Sequence, residues 1–499
     1  METTEQAKSR IKTIALDRQQ IRWAEFDLDT LIEQDHPARI IWELSRRFDL
    51  KQFEAKQKTR EGEAGRPCWP AQVLVSVWVY SYTLGVASAR AIERMLSHEP
   101  GLRWLAADER INYHTLADFR VGHREALNDL FAQLLTLLET VGLVDLQTLL
   151  HDGTKVRAVA GRGSLHRRKT LENRLRKAKQ VVKKLEIQAE AEEEACDKKR
   201  RAAQQRAAWE RLDRAQAALE KLTQLESETS AGERAELRVS DSEAEARKMK
   251  HADGSWAPSY NVQVTTEAQS RLIVGIGITD AANDTQQLLP ALETVQNNCG
   301  ALPEKIIADN GYATRDNVEQ TSQLGVELIA PWKEDQSRQA GACKRNGIEV
   351  EFAASTFSPQ RGGKKLTCPA GKTLVLIQQK VHHGLLRNMF EARAADCQRC
   401  RHLQSCCGDR GGPRRVERVL ESPAMKQYLS RMKQRAVKEL YGKRSEIAEF
   451  PHMWAKAVKR WRRFSVRGMV KAGMEAVWVA FAYNVTQYLR LKPASQAAA

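Results

Sequence analysis

The stretch LQTLLHDGTKVRAVAG, residues 146–161, constrains the fold more than any other part of the sequence. Its apolar first half predicts a buried strand that ends in a turn at Asp152 and Gly153. A second apolar run, EKIIADNGYAT at residues 304–314, meets Asp309 and breaks at Asn-Gly. Sites in α/β sheets form beyond the carboxyl ends of strands, so the two acids are candidates for one site. Taken singly, either aspartate is better explained by its turn.

The elements around these two runs alternate between strands and helices, which indicates an α/β fold. Apolar residues recur at helical spacing in four segments before the first run: 36–48, 70–85, 88–105 and 123–143. Strand patterns follow it at 260–267, 271–279, 326–331 and 372–381, with a helix at about 284–298. From residue 423 onward the chain is again helical and basic, and it ends in an apolar helix over 474–489.

Residues 165–248 differ sharply in composition from the rest of the chain. They are rich in Lys, Arg, Glu, Ala and Gln, and apolar residues recur at heptad-like intervals over 169–226. This pattern predicts long charged helices arranged as an antiparallel hairpin. A solvated helical arm is the simpler interpretation, and an arm that contacts DNA or a second copy of the chain is the alternative.

Length and charge narrow the class of protein. A chain of 499 residues predicts two to four domains. The net charge of +17 favours a polyanionic partner, because Lys and Arg release counterions from phosphates. Residues 1–20 contain no apolar core of a signal peptide, and the longest apolar runs (73–80 and 476–483) are too short to span a bilayer. We therefore expect a cytoplasmic, nucleoid-associated protein in which nine cysteines do not form a disulfide framework.

Two carboxylates are too few to hold the pair of divalent ions that phosphodiester cleavage uses, so a third acid is needed. The segment YGKRSEIAEFPHMWAKAVKRWRRF, residues 441–464, offers Glu446 and Glu449. Glu449 and Lys456 are seven residues apart and share one helical face, where a lysine could hold a phosphate. A salt-bridged surface helix is the competing interpretation.

Several of these segments resemble the DDE transposases of bacterial insertion sequences, and most closely the insertion-sequence eleven-eighty-two family. The resemblance rests on HDGTKVRAVAG, SDSEAEARKMKHADGSWAPSYNVQV, ADNGYAT and YGKRSEIAEF with Lys456, in that order. Upstream, DHPARIIWEL, AGRPCWPAQVLVSVWVYSYTLGVASARAIERM and YHTLADFRVGH are similar to that family's N-terminal helices. Downstream, RGMVKAGMEAVWVAFAYNV is similar to its closing helix.

The resemblance implies an RNase H-like core in which Asp152, Asp309 and Glu449 hold two Mg²⁺ or Mn²⁺ ions. It also implies a Tyr-x2-Arg-xn-Glu-x6-Lys pattern, which Tyr441, Arg444, Glu449 and Lys456 fit. This chain departs from the family after the glutamate, where FPHMW replaces the usual Pro followed by Phe-Gly.

The implied activity is cleavage at terminal inverted repeats followed by strand transfer into target DNA. The expected partners are double-stranded DNA, as transposon ends and as target, and a second copy of the chain in a homodimer or larger synaptic assembly. Two alternatives remain: a DNA-binding regulator without catalysis, and an RNase H-like nuclease that does not join strands.

Five cysteines lie within forty residues and predict a structural zinc site. Cys397 and Cys400 form a C-x2-C knuckle, Cys368 lies at a second turn, and Cys406 or Cys407 completes four thiolates. Similar transposases carry such a knuckle before the catalytic glutamate. The remaining cysteines receive no role: Cys68, Cys196, Cys299 and Cys343.

The segment KAVKRWRRFSVRGMVK, residues 456–471, places seven Lys or Arg residues around Trp461 and Phe464. On a helix beside Glu449, these side chains would follow DNA phosphates while an aromatic ring stacks on a base. The DNA contacts would come from Lys459, Arg460, Arg462 and Arg463 together with Tyr441, Arg444 and Lys456. A solvated basic face, with Trp461 in the core, is the equal alternative.

The predicted fold is therefore an α/β protein of four parts. The catalytic core comprises residues 146–164, 249–331 and 423–490. An all-α DNA-binding domain (1–145), the charged hairpin (165–248) and a Cys-rich β insertion (332–422) complete it.

Overall fold

The computed structural model describes residues 27–55, 67–191, 198–332, 334–382 and 384–491. The expectation about a signal peptide at residues 1–20 and the cysteine at position 196 lie outside these ranges. No helix within them is both long enough and apolar enough to cross a membrane. The described chain mixes helices and strands, as the sequence predicts.

The described residues between 27 and 145 form seven α-helices and a short 3-10 helix at Leu28–Leu31. The α-helices are α1 (Pro37–Arg46), α2 (Lys51–Glu54), α3 (Ala71–Thr83), α4 (Ala89–Met95), α5 (Pro100–Leu105), α6 (Tyr113–Gly122) and α7 (Arg124–Thr140). The predicted single helix over 88–105 is in fact two helices, α4 and α5. The side chain of Ser88 caps α4, whereas Glu99 caps a new helix that begins at Pro100, a residue with no N–H to continue the first one.

The largest sheet has eight strands. They are β1 (Thr148–Arg157), β2 (Leu165–His166), β3 (Val239–Ser240), β4 (Arg247–Lys250), β5 (Trp256–Glu267), β6 (Ile273–Thr279), β7 (Lys305–Ile307) and β8 (Glu327–Ile329). β1 is central: it pairs antiparallel with β5 and parallel with β7, which in turn pairs parallel with β8. β4 and β6 pair with β5.

The predicted turn at Asp152 and Gly153 is wrong. β1 continues through both residues to Arg157, with Asp152 opposite Val264 and Gly153 opposite Gln263 on β5. The long neighbouring strand supplies a hydrogen-bonding partner for this whole stretch, and that pairing overrides the local turn preference of Asp-Gly.

Two long helices, α8 (Arg168–Ala191) and α9 (Lys198–Glu228), lie between β2 and β3 in the chain. They run antiparallel, because Arg168 at the start of α8 bonds to Glu226 near the end of α9. Leu171 packs against apolar residues of α9, including Leu222 and Leu225.

Helices cover the main sheet and share its apolar core. α10 (Leu288–Cys299) follows β6, and α11 (Arg315–Gln323) connects β7 to β8. One continuous core cluster contains residues of the first seven helices, of β1, β5 and β6, and of the last helix of the chain.

Residues 334–419 contain a second, antiparallel sheet of five strands. The elements are α12 (Glu334–Arg345), β9 (Ser358–Pro359), β10 (Lys365–Thr367), β11 (Thr373–His382), β12 (Leu385–Ala392), α13 (Ala394–Gln398), α14 (Leu403–Cys407) and β13 (Arg415–Val419). The strand order is β13-β12-β11-β10-β9, around a small core of its own.

The remaining chain forms α15 (Pro423–Arg431), α16 (Arg435–Gly442), α17 (Arg444–Met453), a π-helical turn (Trp454–Val458) and α18 (Met469–Leu491). The predicted helix across 456–471 is wrong: Arg460 has a φ of +57°, and the chain is irregular from there to α18. Here the backbone bonds to β1 in place of hydrogen bonds within a helix. The N–H of Arg157 donates to the carbonyl of Arg462, and the carbonyl of Arg157 accepts from the N–H of Phe464. We name residues 459–464 the basic segment.

Candidate active site

Asp152 lies in the middle of β1, and Asp309 lies two residues beyond the end of the adjacent parallel strand β7. Each carboxylate accepts a hydrogen bond from the backbone N–H of a nearby glycine. Gly153 donates to Asp152 at 3.0 Å, and Gly311 donates to Asp309 at 2.6 Å. The pairing of β1 with β7 therefore brings both acids to one region of the sheet.

Helix α17 faces Asp152 with two nitrogen-bearing side chains. Arg444 Nη2 lies 3.0 Å from Asp152 Oδ1, and His452 Nε2 lies 3.9 Å from Oδ2. Burial raises the pKa of Asp152 to about 6, the charge of Arg444 opposes this shift, and the charge of Asp309 adds to it. The two acids thus repel each other in a poorly solvated place, which favours binding of a cation.

Glu449 lies on α17 with an exposed side chain, as does Glu446. Within the described ranges, no three His, Cys, Asp or Glu side chains are arranged so that they could hold a metal ion. The structure therefore gathers Asp152, Asp309 and Arg444, and it leaves Glu449 on the surface of the same helix.

Tyr441 lies beside the acids at the end of α16. Burial raises the pKa of the Tyr441 hydroxyl, Arg444 opposes the shift, and the charges of Asp309 and Asp152 add to it. The two first members of the Tyr-Arg-Glu-Lys pattern are thus within electrostatic reach of both aspartates.

Lys456 lies against β1, one turn beyond α17. Its ammonium donates to the carbonyl of Lys155 at 2.9 Å and to the Thr154 hydroxyl. Burial lowers the pKa of Lys456 to about 8, although the charge of Asp152 opposes this shift. Lys456 is therefore fixed close to the acids by the strand that carries Asp152.

The basic segment presents three exposed arginines next to β1. They are Arg460, Arg462 and Arg463. Lys459 is half-buried, and its ammonium lies 5.4 Å from the ring centre of Trp454. Trp461, in contrast, is only 8% exposed and donates from Nε1 to Glu475 at 3.0 Å. The interpretation of Trp461 as a core residue is confirmed, and a role in base stacking is wrong.

Sequence reasoning missed a buried hydrogen-bond network behind the two acids. Gln263 Oε1 accepts from the Tyr312 hydroxyl at 2.7 Å and is 2.9 Å from His151 Nε2. Its Nε2 donates to Asp284 at 2.9 Å, and His151 Nδ1 is 2.9 Å from the Thr265 hydroxyl. Burial lowers the pKa of His151 to about 4, so the ring is neutral at pH 7.

This network joins the residue before Asp152 to the loop that carries Asp309. The motifs SYNVQV and ADNGYAT contain Gln263 and Tyr312, so a polar residue inside an apolar strand and a tyrosine in the turn after the next strand were the available signal. The glycine at 153 also has its explanation here. A Cβ at that position would lie 2.6 Å from Asp284 Oδ1 and 2.7 Å from Gln263 Nε2.

The clustered thiols line one cavity beside the second sheet. Its walls include Cys368, Cys397, Cys400, Cys406 and Cys407. Burial, with a smaller contribution from the neighbouring thiols, raises the pKa of Cys406 to about 12, although the charge of Arg414 opposes the shift. Cys68, Cys299 and Cys343 lie outside this cavity, and they are not joined in disulfides.

Two transposase families match the chain. The family described as Transposase DDE domain matches residues 367–489, and the family described as Transposase domain (DUF772) matches residues 26–122. These matches indicate an insertion-sequence DDE transposase. No curated protein matches the chain.

The two matched ranges cover different parts of the chain. The DUF772 range covers the helices from α1 to α6, and the DDE range runs from β10 through Glu449 to α18. Asp152 and Asp309 lie between the two ranges. The transposase role therefore rests on the matched ranges, whereas the role of each acid rests on the geometry above.

Proposed function

We propose that this transposase binds the terminal inverted repeats of its element, cleaves them and transfers the freed strand to target DNA. The observation that carries the proposal is the position of Asp152 on the central strand β1, with Asp309 after the adjacent parallel strand β7 and Arg444 at Asp152. The strand order β6-β5-β1-β7-β8, with three antiparallel strands followed by two parallel ones, supports an RNase H-like core.

The acids fit divalent cations. The carboxylates of Asp152 and Asp309 are hard oxygen ligands, and the raised pKa of Asp152 reflects burial and repulsion that a cation would relieve. We assign Mg²⁺ or Mn²⁺ to these two acids, with Glu449 as the third ligand, supplied by a movement of its exposed side chain. When bound, two such ions stabilise the attacking and leaving oxygens of an in-line phosphoryl transfer.

The remaining side chains prepare the site for DNA. Arg444 neutralises Asp152 in the absence of a cation, and it becomes available to a phosphate when a cation replaces it. Lys456, held by the backbone of β1, and the exposed arginines of the basic segment attract the DNA backbone toward the acids. Gln263 and its partners hold β1 and the Asp309 loop together, so the two carboxylates keep their spacing.

The test uses a plasmid carrying the DNA that flanks the coding region, with Mg²⁺ or Mn²⁺. We expect Asp152→Asn, Asp309→Asn and Glu449→Gln each to reduce cleavage by about three orders of magnitude, given the share of catalysis that metal ligands supply. Binding to the same DNA should remain. Glu446→Gln is the matched control, because Glu446 is exposed on the same helix.

Full activity of Glu449→Gln would remove that residue from the site. Cleavage without joining would identify a nuclease instead, and DNA binding without cleavage by the unaltered protein would identify a regulator. A dimer that brings two DNA ends together is part of the proposal, and the mass of the complex with DNA ends tests it.

We also propose a structural Zn²⁺ held by Cys368, Cys397, Cys400 and Cys406. Four thiols that line one cavity are the donor set that tetrahedral zinc prefers. Zinc binding would draw these side chains together and hold them as thiolates, including Cys406, whose pKa is raised by burial. Elemental analysis of the purified protein should give about one zinc per chain. Cys397→Ser and Cys400→Ser should lose it, Cys68→Ser should keep it, and zinc-free unaltered protein would contradict the assignment.

A further inference from the structure

A groove at the edge of the main sheet, far from the acids, is lined by cations and an exposed tryptophan. The residues are Arg162, Leu165, Arg238, Lys248, Gly254, Ser255 and Trp256. We name it the Trp256 groove. The indole of Trp256 is 47% exposed at the first position of β5, and Lys248 Nζ lies 4.9 Å from its ring centre. Arg162 and Arg238 are exposed on either side.

The Trp256 groove is continuous with the basic residues near the acids. Arg157 Nη2 donates to the Ser255 hydroxyl in the groove at 3.0 Å and pairs with Asp253, which neutralises that acid. The backbone of Arg157 is bonded to the basic segment, and Lys456 is bonded to β1 two residues earlier. These contacts connect the groove, through the end of β1, to the basic segment.

The register places Trp256 and Asp152 on the same face of the sheet. Asp152 lies opposite Val264, and side chains eight residues apart on one strand point the same way. Eight residues of strand span about 26 Å at about 3.3 Å per residue. A DNA strand advances about 3.4 Å per nucleotide, so this distance corresponds to about eight nucleotides.

We propose that the Trp256 groove binds the DNA strand that leads away from the cleaved phosphate, with a base stacked on Trp256 about eight nucleotides from the cut. The charge of the groove fits phosphates, and an exposed indole beside a lysine fits the face of a base. The part of the proposal that concerns the distance from the cut rests on the proposed function. The binding of DNA in the groove does not.

The first experiment measures binding of a fluorescein-labelled 30-nucleotide DNA of arbitrary sequence, single-stranded or duplex, in EDTA. Trp256→Ala should weaken binding about fivefold or more, the effect of losing one stacked base, whereas Trp256→Phe should retain most of the affinity. Trp209→Ala is the matched control, because Trp209 on α9 is also 47% exposed. An equal loss of DNA affinity in the two alanine variants, or no loss in either, would overturn the proposal that DNA binds in the Trp256 groove.

The salt dependence of binding tests the cations. Replacing Arg162, Arg238 and Lys248 with alanine should reduce the slope of log K against log salt by about two to three, since each phosphate contact contributes about 0.9. The control replaces three exposed arginines of α9, Arg200, Arg206 and Arg211. A slope that changes equally in both variants overturns the assignment of phosphate contacts to the groove.

The distance is tested with 5-iodouracil placed singly along a cleavable end of the element, with cross-linking by light. We expect a cross-link to Trp256 about eight nucleotides from the cut, absent in Trp256→Leu. A cross-link to Trp256 at a different number of nucleotides from the cut would overturn the proposed path of the DNA strand between the acids and the Trp256 groove. If no cleavable end exists but the binding results hold, the proposed function fails and the DNA-binding groove stands.

Discussion

At the scale of single residues, Gln263 connects the two strands that carry the acids. Its side-chain oxygen takes two hydrogen bonds, from Tyr312 and His151, and its amide group gives one to Asp284. The bonds to Tyr312 and His151 are buried and the bond to Asp284 is partly buried, so loss of the Gln263 oxygen leaves buried groups without a hydrogen-bond partner. Gln263 is a positioning residue, because it acts on the acids through their neighbours.

Gln263→Leu should therefore leave two buried donors without an acceptor and destabilise the fold by about 2 kcal/mol or more. It should also weaken Mn²⁺ binding severalfold, because β1 and the Asp309 loop lose their link. Manganese titration followed by electron paramagnetic resonance, together with urea unfolding, measures both effects. Gln487→Leu is the control, since Gln487 is equally buried but lies on α18. Unchanged Mn²⁺ affinity in folded Gln263→Leu would contradict the positioning role.

Lys456 predicts an alkaline limit for DNA binding. Because burial lowers its pKa to about 8, the free protein loses this charge as pH rises through 8. DNA affinity in EDTA should then fall severalfold between pH 7 and 9.5, and Lys456→Arg should remove the fall, since arginine stays charged. The stability effect has the opposite sign. A depressed lysine pKa makes the fold less stable relative to the unfolded chain as pH falls from 10.5 toward 8, and the loss is complete below 8.

Comparison of unaltered protein with Lys456→Met isolates the contribution of this group. The difference in unfolding free energy should grow in favour of the unaltered chain as pH rises from 8 toward 10.5, the ordinary pKa of lysine. A DNA affinity with the same pH dependence in Lys456→Met and the unaltered protein would show that this ammonium does not contact phosphate.

At the scale of elements, Glu475 of α18 fixes the chain that follows the basic segment. Its buried carboxylate accepts from Trp461 Nε1 at 3.0 Å and from the backbone N–H and hydroxyl of Ser465. Arg120 of α6 donates to the same Ser465 hydroxyl at 2.8 Å. The irregular course of the basic segment is thus held by buried polar contacts on two helices.

Glu475→Ala should cost about 3 kcal/mol or more, because it leaves buried donors unpaired and opens a cavity. It should also weaken DNA binding, because the arginines beside β1 lose their support. Urea unfolding and anisotropy with duplex DNA measure the two effects. The control is Glu439→Ala, which removes an exposed ion pair with Arg435 and should change stability by less than about 1 kcal/mol. Comparable losses in both variants would refute the support role.

The elements with a regular hydrophobic period were predictable from the sequence, and those set by distant partners were not. Apolar residues at helical spacing and apolar strand patterns predicted α7, α18, β5 and β6 to within about five residues. The predicted end of the strand at Asp152 was wrong, because pairing with β5 extends β1 beyond Asp152 to Arg157. The helix over 456–471 was misjudged because Glu475 and Arg157 hold the chain in another path. Neither partner is visible in a local window.

The candidate site also contains residues that a local pattern predicts and residues that depend on distant partners. Asp309 follows a strand end, as local composition predicted, and Asp152 was named for the right strand but the wrong local structure. The network of His151, Gln263 and Tyr312 depends on register between strands more than a hundred residues apart, which no local pattern encodes. The position of Glu449 relative to the acids stays a prediction.

At the scale of the whole molecule, α18 connects the N-terminal helices to the sheet. Trp478 is fully buried and donates to the Arg120 carbonyl of α6 at 3.2 Å. On another face of the same helix, the Asn484 side chain bonds to both the N–H and the carbonyl of Ile273 on β6, each at 2.8 Å. A helix that is apolar on all sides is stable only when it is enclosed, and here both parts of the chain enclose it.

The N-terminal helices and the main sheet should therefore lose stability together. Trp478→Ala should cost about 3–5 kcal/mol, the usual range for a buried tryptophan, and should lower amide hydrogen-exchange protection in α3 and in β6 by the same factor. Trp209→Ala, at an exposed position of α9, should leave both unchanged. Protection lost in α3 but kept in β6 would mean that the N-terminal helices unfold as a separate unit. The DNA-binding groove and the acids would then be carried by the sheet alone.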